Sequence, residues 1–343
     1  MTRTIWARLR LVCGAGILAV LVWRLGSGPA LDGFRVLDAA TLLTALGIGL
    51  ATTVLSAWRW CLVARGLGLR LRLRDATADY YQALFLNAAL PGGIVGDVGR
   101  AVRHGRDSGD LGRGVRAVVL ERTAGQIVLL GVGGAVLLTV PSPVLTQLER
   151  HGAGTVAILL AALAAAGALA VPAGRHLRRD GSRAARAART GLAEIRTGLL
   201  ARRAWPGVLV ASGIVLAGHV ATFVVAARAA GSAATLAQLA PLLLLALLAM
   251  ALPVNVGGWG PREGVTAWAF GAAGLTAAQG LTTAVVYGIC AFVAASPGAI
   301  IVVVRAVRRF RAEAVVRAAG SAGRPGPGAD AGADRAPELV AVA

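Results

Sequence analysis

Six apolar stretches of membrane-spanning length, separated by clusters of arginine, constrain this chain more than any other feature. Five lie at residues 39–64, 117–140, 154–171, 206–227 and 281–304, and another, at 11–23, follows the basic segment 3–10. An α-helix rises about 1.5 Å per residue, so about 20 apolar residues cross a hydrocarbon core about 30 Å thick. The predicted fold is an all-α polytopic integral membrane protein with six full transmembrane helices. Composition agrees, with 57% of residues apolar, 15% charged and a mean hydropathy of +0.71. The 11–23 stretch has the basic-then-apolar pattern of a signal sequence. No small-residue cleavage site precedes the next apolar run, so it is read as an uncleaved first helix.

The charge balance has to be reconciled with that fold. There are 35 basic residues, all of them Arg, against 16 acidic ones, a formal charge of +19. In a soluble chain this excess would suggest nucleic acid, but repeated membrane-spanning stretches exclude a nucleic-acid partner. The arginines report orientation instead. Of the 35, 28 fall in five segments: three at the N-terminus, four at 65–74, five at 100–116, nine at 175–203 and seven from Arg305 onward. The opposite loops hold only Arg24, Arg35, Arg150 and Arg228. The positive-inside rule then predicts a multi-pass protein of the cell membrane with both termini cytoplasmic.

Residues 175–203 carry Leu192, Ile195 and Leu199 at helical spacing among arginines. They read equally well as an interfacial helix attracted to anionic lipid at the cytoplasmic surface and as a solvated loop. The transmembrane domain is assigned to 1–311. The Gly-, Ala-, Pro- and Asp-rich segment 312–343 is expected to be a disordered cytoplasmic tail.

Two apolar stretches break the alternation. Residues 80–98 lie between Arg-rich flanks, so a full crossing there would export one of them; a re-entrant hairpin from the cytoplasm avoids this. Residues 236–275 fit either two short spans or a second hairpin from outside, and the short first arm favours the hairpin. Breakers interrupt both: Pro91, Gly92, Gly93 and Gly96 in the first, and Pro253, Gly257, Gly258, Gly260 and Pro261 in the second. Paired interruptions at corresponding places in two halves predict an inverted repeat with the substrate site between them, because broken helix ends expose N–H groups that hold anions.

Charges beside the breaks supply the candidate substrate-binding residues. An ionisable side chain at bilayer depth costs at least ~2.5–3.5 kcal/mol on insertion scales, so it normally faces a partner or a cavity. Asp97 and Arg100 follow the first break and share a helix face. Arg262 and Glu263 follow Pro261, where a helix start welcomes proline and an acid. Glu121 and Arg122 lie near the start of a span and point about 100° apart, toward different neighbours. Asn87 and Asn255 complete the set, Asn255 because it lies within the second broken segment.

Trp58, Arg59 and Trp60 read as an interfacial anchor with a snorkelling arginine. His219 reads as a packed, hydrogen-bonded histidine, and His104, His151 and His176 as loop residues. Gln126 is expected to bond between helices. Cys13, Cys61 and Cys290 lack metal or redox spacing, so no metal and no cofactor is expected.

The motifs Trp58-Arg59-Trp60, Asn87 with Leu90-Pro91-Gly92-Gly93, Gly96-Asp97-Val98-Gly99-Arg100, Glu121-Arg122 and Gly257-Gly258-Trp259-Gly260-Pro261-Arg262-Glu263 resemble, in this order, the signatures of the lysylphosphatidylglycerol synthase transmembrane-region family, also called flippase-like. The resemblance reaches to about Arg311. It implies a membrane domain like the one that, in two-domain bacterial synthases, moves aminoacylated phosphatidylglycerol between leaflets. The chain shows no aminoacyl-transferring domain after the membrane region, so synthase activity is not carried over. Asp97 stands where many relatives have Glu, which shortens the carboxylate's reach.

The leading expectation is a lipid translocase with membrane phospholipids as partners. It would move an anionic or aminoacylated phospholipid, or a polyprenyl-phosphate-type lipid. The alternatives are an accessory subunit or enzyme of lipid-linked glycosyl transfer or envelope assembly, and a scaffold for a separate synthase or transferase. The sequence holds no nucleophile–base constellation, metal cluster or nucleotide loop, which speaks against independent catalysis.

Overall fold

Backbone polar groups in hydrocarbon must be satisfied within their own segment, and long runs of Ala, Leu, Val and Gly do this as helices. A computed structural model describes residues 15–90, 93–142, 145–146, 204–250 and 259–322, and among these the architecture is helical without sheets. The chain opens with α1 (Ala15–Leu25) and α2 (Gly28–Arg35), bent by 98° at the break between them. Gly26, at φ 76°, turns the chain there, and Pro29 suits the first turn of α2.

Next comes α3 (Ala39–Gly66), whose N-cap Asp38 accepts the Thr41 N–H at 2.8 Å. Those Thr41 hydrogen bonds hold the Asp38 carboxyl below its usual range. After it come α4 (Leu73–Ala89), α5 (Val95–Asp107) and α6 (Leu111–Thr139). Further on lie α7 (Trp205–Ala229), α8 (Leu236–Met250), α9 (Pro261–Ala272), α10 (Ala277–Ala295) and α11 (Pro297–Ala322).

Among the described residues, four helical stretches are long and apolar enough to cross a membrane: Ala39–Gly66, Leu111–Thr139, Trp205–Ala229 and Ala277–Ala312, the last made of α10 and the first part of α11; the bent α1–α2 pair makes a fifth if it counts as one span. The expected span 154–171 and the basic segment 175–203 lie outside the described residues. The expected span 281–304 divides at Ser296, and Pro297 opens α11.

Residues 1–299 form one compact unit and 300–343 a second. The described part of the second is helical through Ala322. The stretch 311–318, RAEAVVRA, is rich in good helix formers, and propensity extends the helix where apolar periodicity has already ended. Residues 323–343 lie outside the described residues.

Within the first unit, α3 and α7 pack antiparallel. A Cβ on Gly207 would lie 2.8 Å from Leu62, Arg59 bonds Ser212, and a Cβ on Gly218 would collide with Thr52, so numbers rise on α7 as they fall on α3. Small residues let helix backbones approach where the lipid supplies no hydrophobic drive.

The broken stretches become two helix pairs, α4 with α5 and α8 with α9, each packed side by side. In the first pair Gly96 lies against the Ala83 backbone, where a Cβ would collide with the Ala83 carbonyl. Pro91, Gly92, Pro253, Asn255, Gly257 and Gly258 fall outside the described residues. Gly93 (φ 61°) and Gly260 (φ 104°) adopt backbone that favours glycine, while Pro261 occupies the first turn of α9.

Gly96→Ala should destabilise the protein by about 1–3 kcal/mol through overpacking against Ala83. Gly99→Ala, which has open space for a methyl group, should be neutral or stabilise it by about 0.5–1 kcal/mol. Thermal unfolding in detergent separates the two; equal midpoints would show that α4 and α5 do not approach this closely.

Candidate functional site

Polar and charged side chains from five helices lie side by side at the first break. Glu121, fully buried on α6, is the hub. Its Oε1 accepts Arg59 Nε of α3 at 3.0 Å, Arg59 Nη2, and the Tyr80 hydroxyl of α4 at 3.1 Å. Its Oε2 accepts Arg100 Nη2 of α5 at 2.7 Å. Arg59 Nη1 donates to Ser212 Oγ of α7 at 2.9 Å, and that hydroxyl donates to the Val208 carbonyl at 2.7 Å. One carboxylate thereby ties α3, α4, α5 and α6 together, and Arg59 extends the tie to α7.

Asp97 is the second acid. Arg100 Nε donates to its Oδ1 at 2.8 Å, while Arg122 Nη2 reaches both oxygens at 2.8 Å and Arg122 Nε reaches Oδ1 at 3.3 Å. Asn87 closes the break: its Nδ2 donates to Asp97 Oδ2 at 3.0 Å and its Oδ1 accepts the Gly96 N–H at 2.7 Å. This bond satisfies a first-turn donor of α5, whose N-cap Ile94 has no side-chain acceptor. The Arg100 guanidinium stacks 4.4 Å from the Tyr80 ring centroid and 4.7 Å from that of Trp60.

The charges do not cancel. Three guanidinium groups face two carboxylates, leaving one positive charge in surplus. It is nearest the surface at Arg122, whose side chain is 41% exposed, while Arg59, Arg100 and Glu121 are buried. Arg100 Nη1 is buried with no hydrogen-bond partner. The cluster is thus suited to a single anion arriving at the Arg122 side, beside the amide groups of the α5 N-terminus.

A second, smaller cluster stands at the start of α9. Glu263 Oε2 accepts the Gly260 N–H at 2.7 Å, and its Oε1 accepts Arg262 Nε at 2.8 Å as well as Arg262 Nη2. Arg262 lies 4.9 Å from the Trp259 ring centroid and 5.5 Å from that of Tyr287. The Tyr287 hydroxyl is 3.0 Å from His219 Nδ1 on α7. On the flank of the first cluster, Arg103 Nη1 bonds Asp79 at 2.6 Å and Gln82 at 2.9 Å.

The candidates from the sequence therefore divide. Asn87, Asp97, Arg100, Glu121 and Arg122 form one site; Arg262 and Glu263 form another; Asn255 lies outside the described residues. Arg59 and Trp60, expected as part of an interfacial anchor, are buried within the protein at 5% and 0% exposure. Arg59 does not snorkel because Glu121 supplies a charged partner in the interior. Trp58 packs against Gly207. His104 is corrected, lying in α5, buried, with its ring 5.4 Å from that of Trp60. Sequence reasoning missed Tyr80, Ser212, Trp259 and Tyr287 as site residues. For the two tyrosines a signal existed, a hydroxyl within or beside an apolar run; Ser212 had none.

The description "Lysylphosphatidylglycerol synthase TM region" matches residues 5–298. The chain belongs to this family. Both clusters fall inside the matched span, and membership supports a membrane lipid-related function for a multi-pass membrane protein. Neither a curated protein nor a solved structure matches the chain.

Removing the hub should be severe. Glu121→Ala leaves Arg59 and Arg100 buried without their shared carboxylate, an expected loss of about 3–5 kcal/mol. Arg113→Ala, which breaks a pair with Asp110 whose side chains are 49% and 41% exposed, should cost about 1 kcal/mol or less. Unfolding in detergent measures both, and a Glu121→Ala midpoint within the range of Arg113→Ala would show that Glu121 does not hold the helices together.

Proposed function

We propose that this chain is a membrane lipid translocase that takes a phosphate-bearing headgroup at Arg122 and moves it between leaflets while the acyl chains stay in lipid. The observation that carries the reading is the surplus positive charge at a broken helix: three guanidinium groups against two carboxylates, with Arg122 the partly exposed one. Burying such a group at bilayer depth is costly, and a structural ion-pair network would be expected to balance its charges. A phosphate headgroup supplies the missing negative charge with oxygens suited to guanidinium donors.

We further infer an internal inverted repeat, which supports the same reading. The series α3, α4, α5, α6 starts at residues 39, 73, 95 and 111; the series α7, α8, α9, α10 starts at 205, 236, 261 and 277. The offsets are 166, 163, 166 and 166 residues. Exchanging the two series maps their packing onto itself. The pairs α5–α6 and α9–α10 correspond, as do α4–α5 and α8–α9, α3–α4 and α7–α8, α3–α6 and α7–α10, α4–α10 and α8–α6, and α3–α10 and α7–α6. The α3–α7 pair maps onto itself, and its antiparallel packing supports an arrangement in which the two halves run in opposite directions. Repeats of this kind suit transport, because one half can repeat at the second face what the other does at the first. The arginine distribution supports a cytoplasmic position for the first broken pair.

Reconstituted into liposomes with a headgroup-labelled phosphatidylglycerol, the protein should render inner-leaflet label accessible to a membrane-impermeant quencher. Arg122→Ala should slow this about tenfold or more, the effect of losing a charge-assisted bond worth about 1.5–3 kcal/mol. Accessibility equal to that of protein-free liposomes would end the reading.

A further inference from the structure

We propose that Arg262, Glu263, Trp259 and Tyr287 form a second anion station, the counterpart across the internal repeat of the Asp97–Arg122 site, which takes the same phosphate monoester or diester group. The inference rests on the translocase reading for its ligand class, but its evidence is separate.

The 166-residue offset pairs individual side chains. Asp97 corresponds to Glu263, each the third residue of its helix and each the acid of the first turn. Glu121 corresponds to Tyr287, the polar groups on α6 and α10 that face the arginines. Gly96 corresponds to Arg262, and Arg122 to Gly288. The last two pairs are reciprocal. In the first half the broken segment supplies glycine and the span supplies arginine; in the second half the broken segment supplies arginine and the span supplies glycine.

Both glycines are required by contact. A side chain at 96 would collide with Ala83, so the guanidinium must come from α6. A Cβ at 288 would collide with Arg262 Nη2 and lie 3.1 Å from its Cζ, so α10 leaves room for a guanidinium coming from α9. Two different constructions thus deliver a guanidinium to the first-turn carboxylate of a broken helix, each beside a tyrosine ring, Tyr80 at 5.7 Å from Arg122 and Tyr287 at 5.5 Å from Arg262. A structural cap would not need the same group twice at equivalent places.

The sixth helix position carries the correspondence further. Arg100 and Thr266 match, and Arg100 Nη1 and Thr266 Oγ1 are both buried without a hydrogen-bond partner. Each lies three residues beyond its acid, on the same helix face.

The stations differ in state. The first carries surplus charge and exposes Arg122, whereas the second balances one arginine against one carboxylate and is closed, with side chains 4% and 0% exposed. One open and one closed station is the asymmetry expected of inverted halves caught in a single conformation. α7 joins them: Ser212 binds Arg59 of the first and His219 binds Tyr287 of the second, seven residues apart on one helix face, about 10 Å along the axis.

The full chain in liposomes, irradiated with a phosphatidic acid carrying a photoreactive diazirine beside its phosphate, tests the proposal by mapping of labelled peptides. Label is expected on both α5–α6 and α9–α10. Arg262→Ala should remove at least nine-tenths of the α9–α10 label and spare α5–α6, and Arg262→Gly/Gly288→Arg, which rebuilds the guanidinium from the span as the first half does, should restore it. Excess inorganic phosphate or excess unlabelled phosphatidic acid as competitor assigns the source: competition by phosphate means that the anion alone is read, and competition only by the lipid means that the acyl chains are needed.

Wild-type label confined to α5–α6, or α9–α10 label that survives Arg262→Ala, would overturn the second station while leaving translocation to its own assay. Dual labelling without translocation would instead sink the translocase reading and keep both stations. A misfolded Arg262→Ala protein leaves the decision to the double variant: label on its α9–α10 supports the station, and none overturns it.

Discussion

The rest of the first unit depends on a carboxylate with no access to solvent. Glu121 is surrounded by donors from α3, α4 and α5, and its partner Arg59 reaches α7 through Ser212. Apolar surface gives membrane helices little reason to associate, because lipid tails solvate it as well as a neighbouring helix does. Directional bonds and close backbone contact must therefore fix the arrangement. Glu121 supplies the first and glycines such as Gly96, Gly105 and Gly114 supply the second, the last two placing α5 and α6 backbone against backbone.

The same logic accounts for the pairing of arginine with glycine at the breaks. A guanidinium at bilayer depth is tolerable only beside a carboxylate, an aromatic face or water. Each demands space close to a backbone, and only a residue without a side chain gives it. Gly125, whose absent Cβ would lie 3.2 Å from Arg59 Nη1, does for the first cluster what Gly288 does for Arg262. The glycines are therefore part of the charge machinery as much as of the helix packing.

Much of this was legible in the sequence, and the exceptions share a cause. The spans at 39–64, 117–140 and 206–227 differ from the observed helices by a few residues at most ends, because apolar length is a local property. The start of α6 at Leu111 was not readable: six residues ahead of the apolar run are helical because Asp110 caps them, accepting the Arg113 N–H at 2.9 Å. The ion pair of Asp97 with Arg100 follows from spacing of three on a helix. That Arg59 is buried within the protein does not follow, since its flanking tryptophans suit either environment and its partner Glu121 lies 62 residues away. Ser212 was invisible for the same reason, its partner lying 153 residues away.

The contrast between the two broken pairs constrains how a headgroup would be handled. At the first, Arg122 is bound through Asp97 yet keeps much of its surface exposed, so an arriving anion meets a cation already oriented by a carboxylate. At the second, Glu263 engages both Arg262 and the Gly260 amide, so an anion must compete with a covalently neighbouring acid for the same guanidinium. On the translocase reading, the headgroup would neutralise the surplus positive charge at the first pair and displace Glu263 from Arg262 at the second. A carrier built this way would keep its cations fixed and move only the counter-charge, which lowers the electrostatic barrier to taking a phosphate across a bilayer.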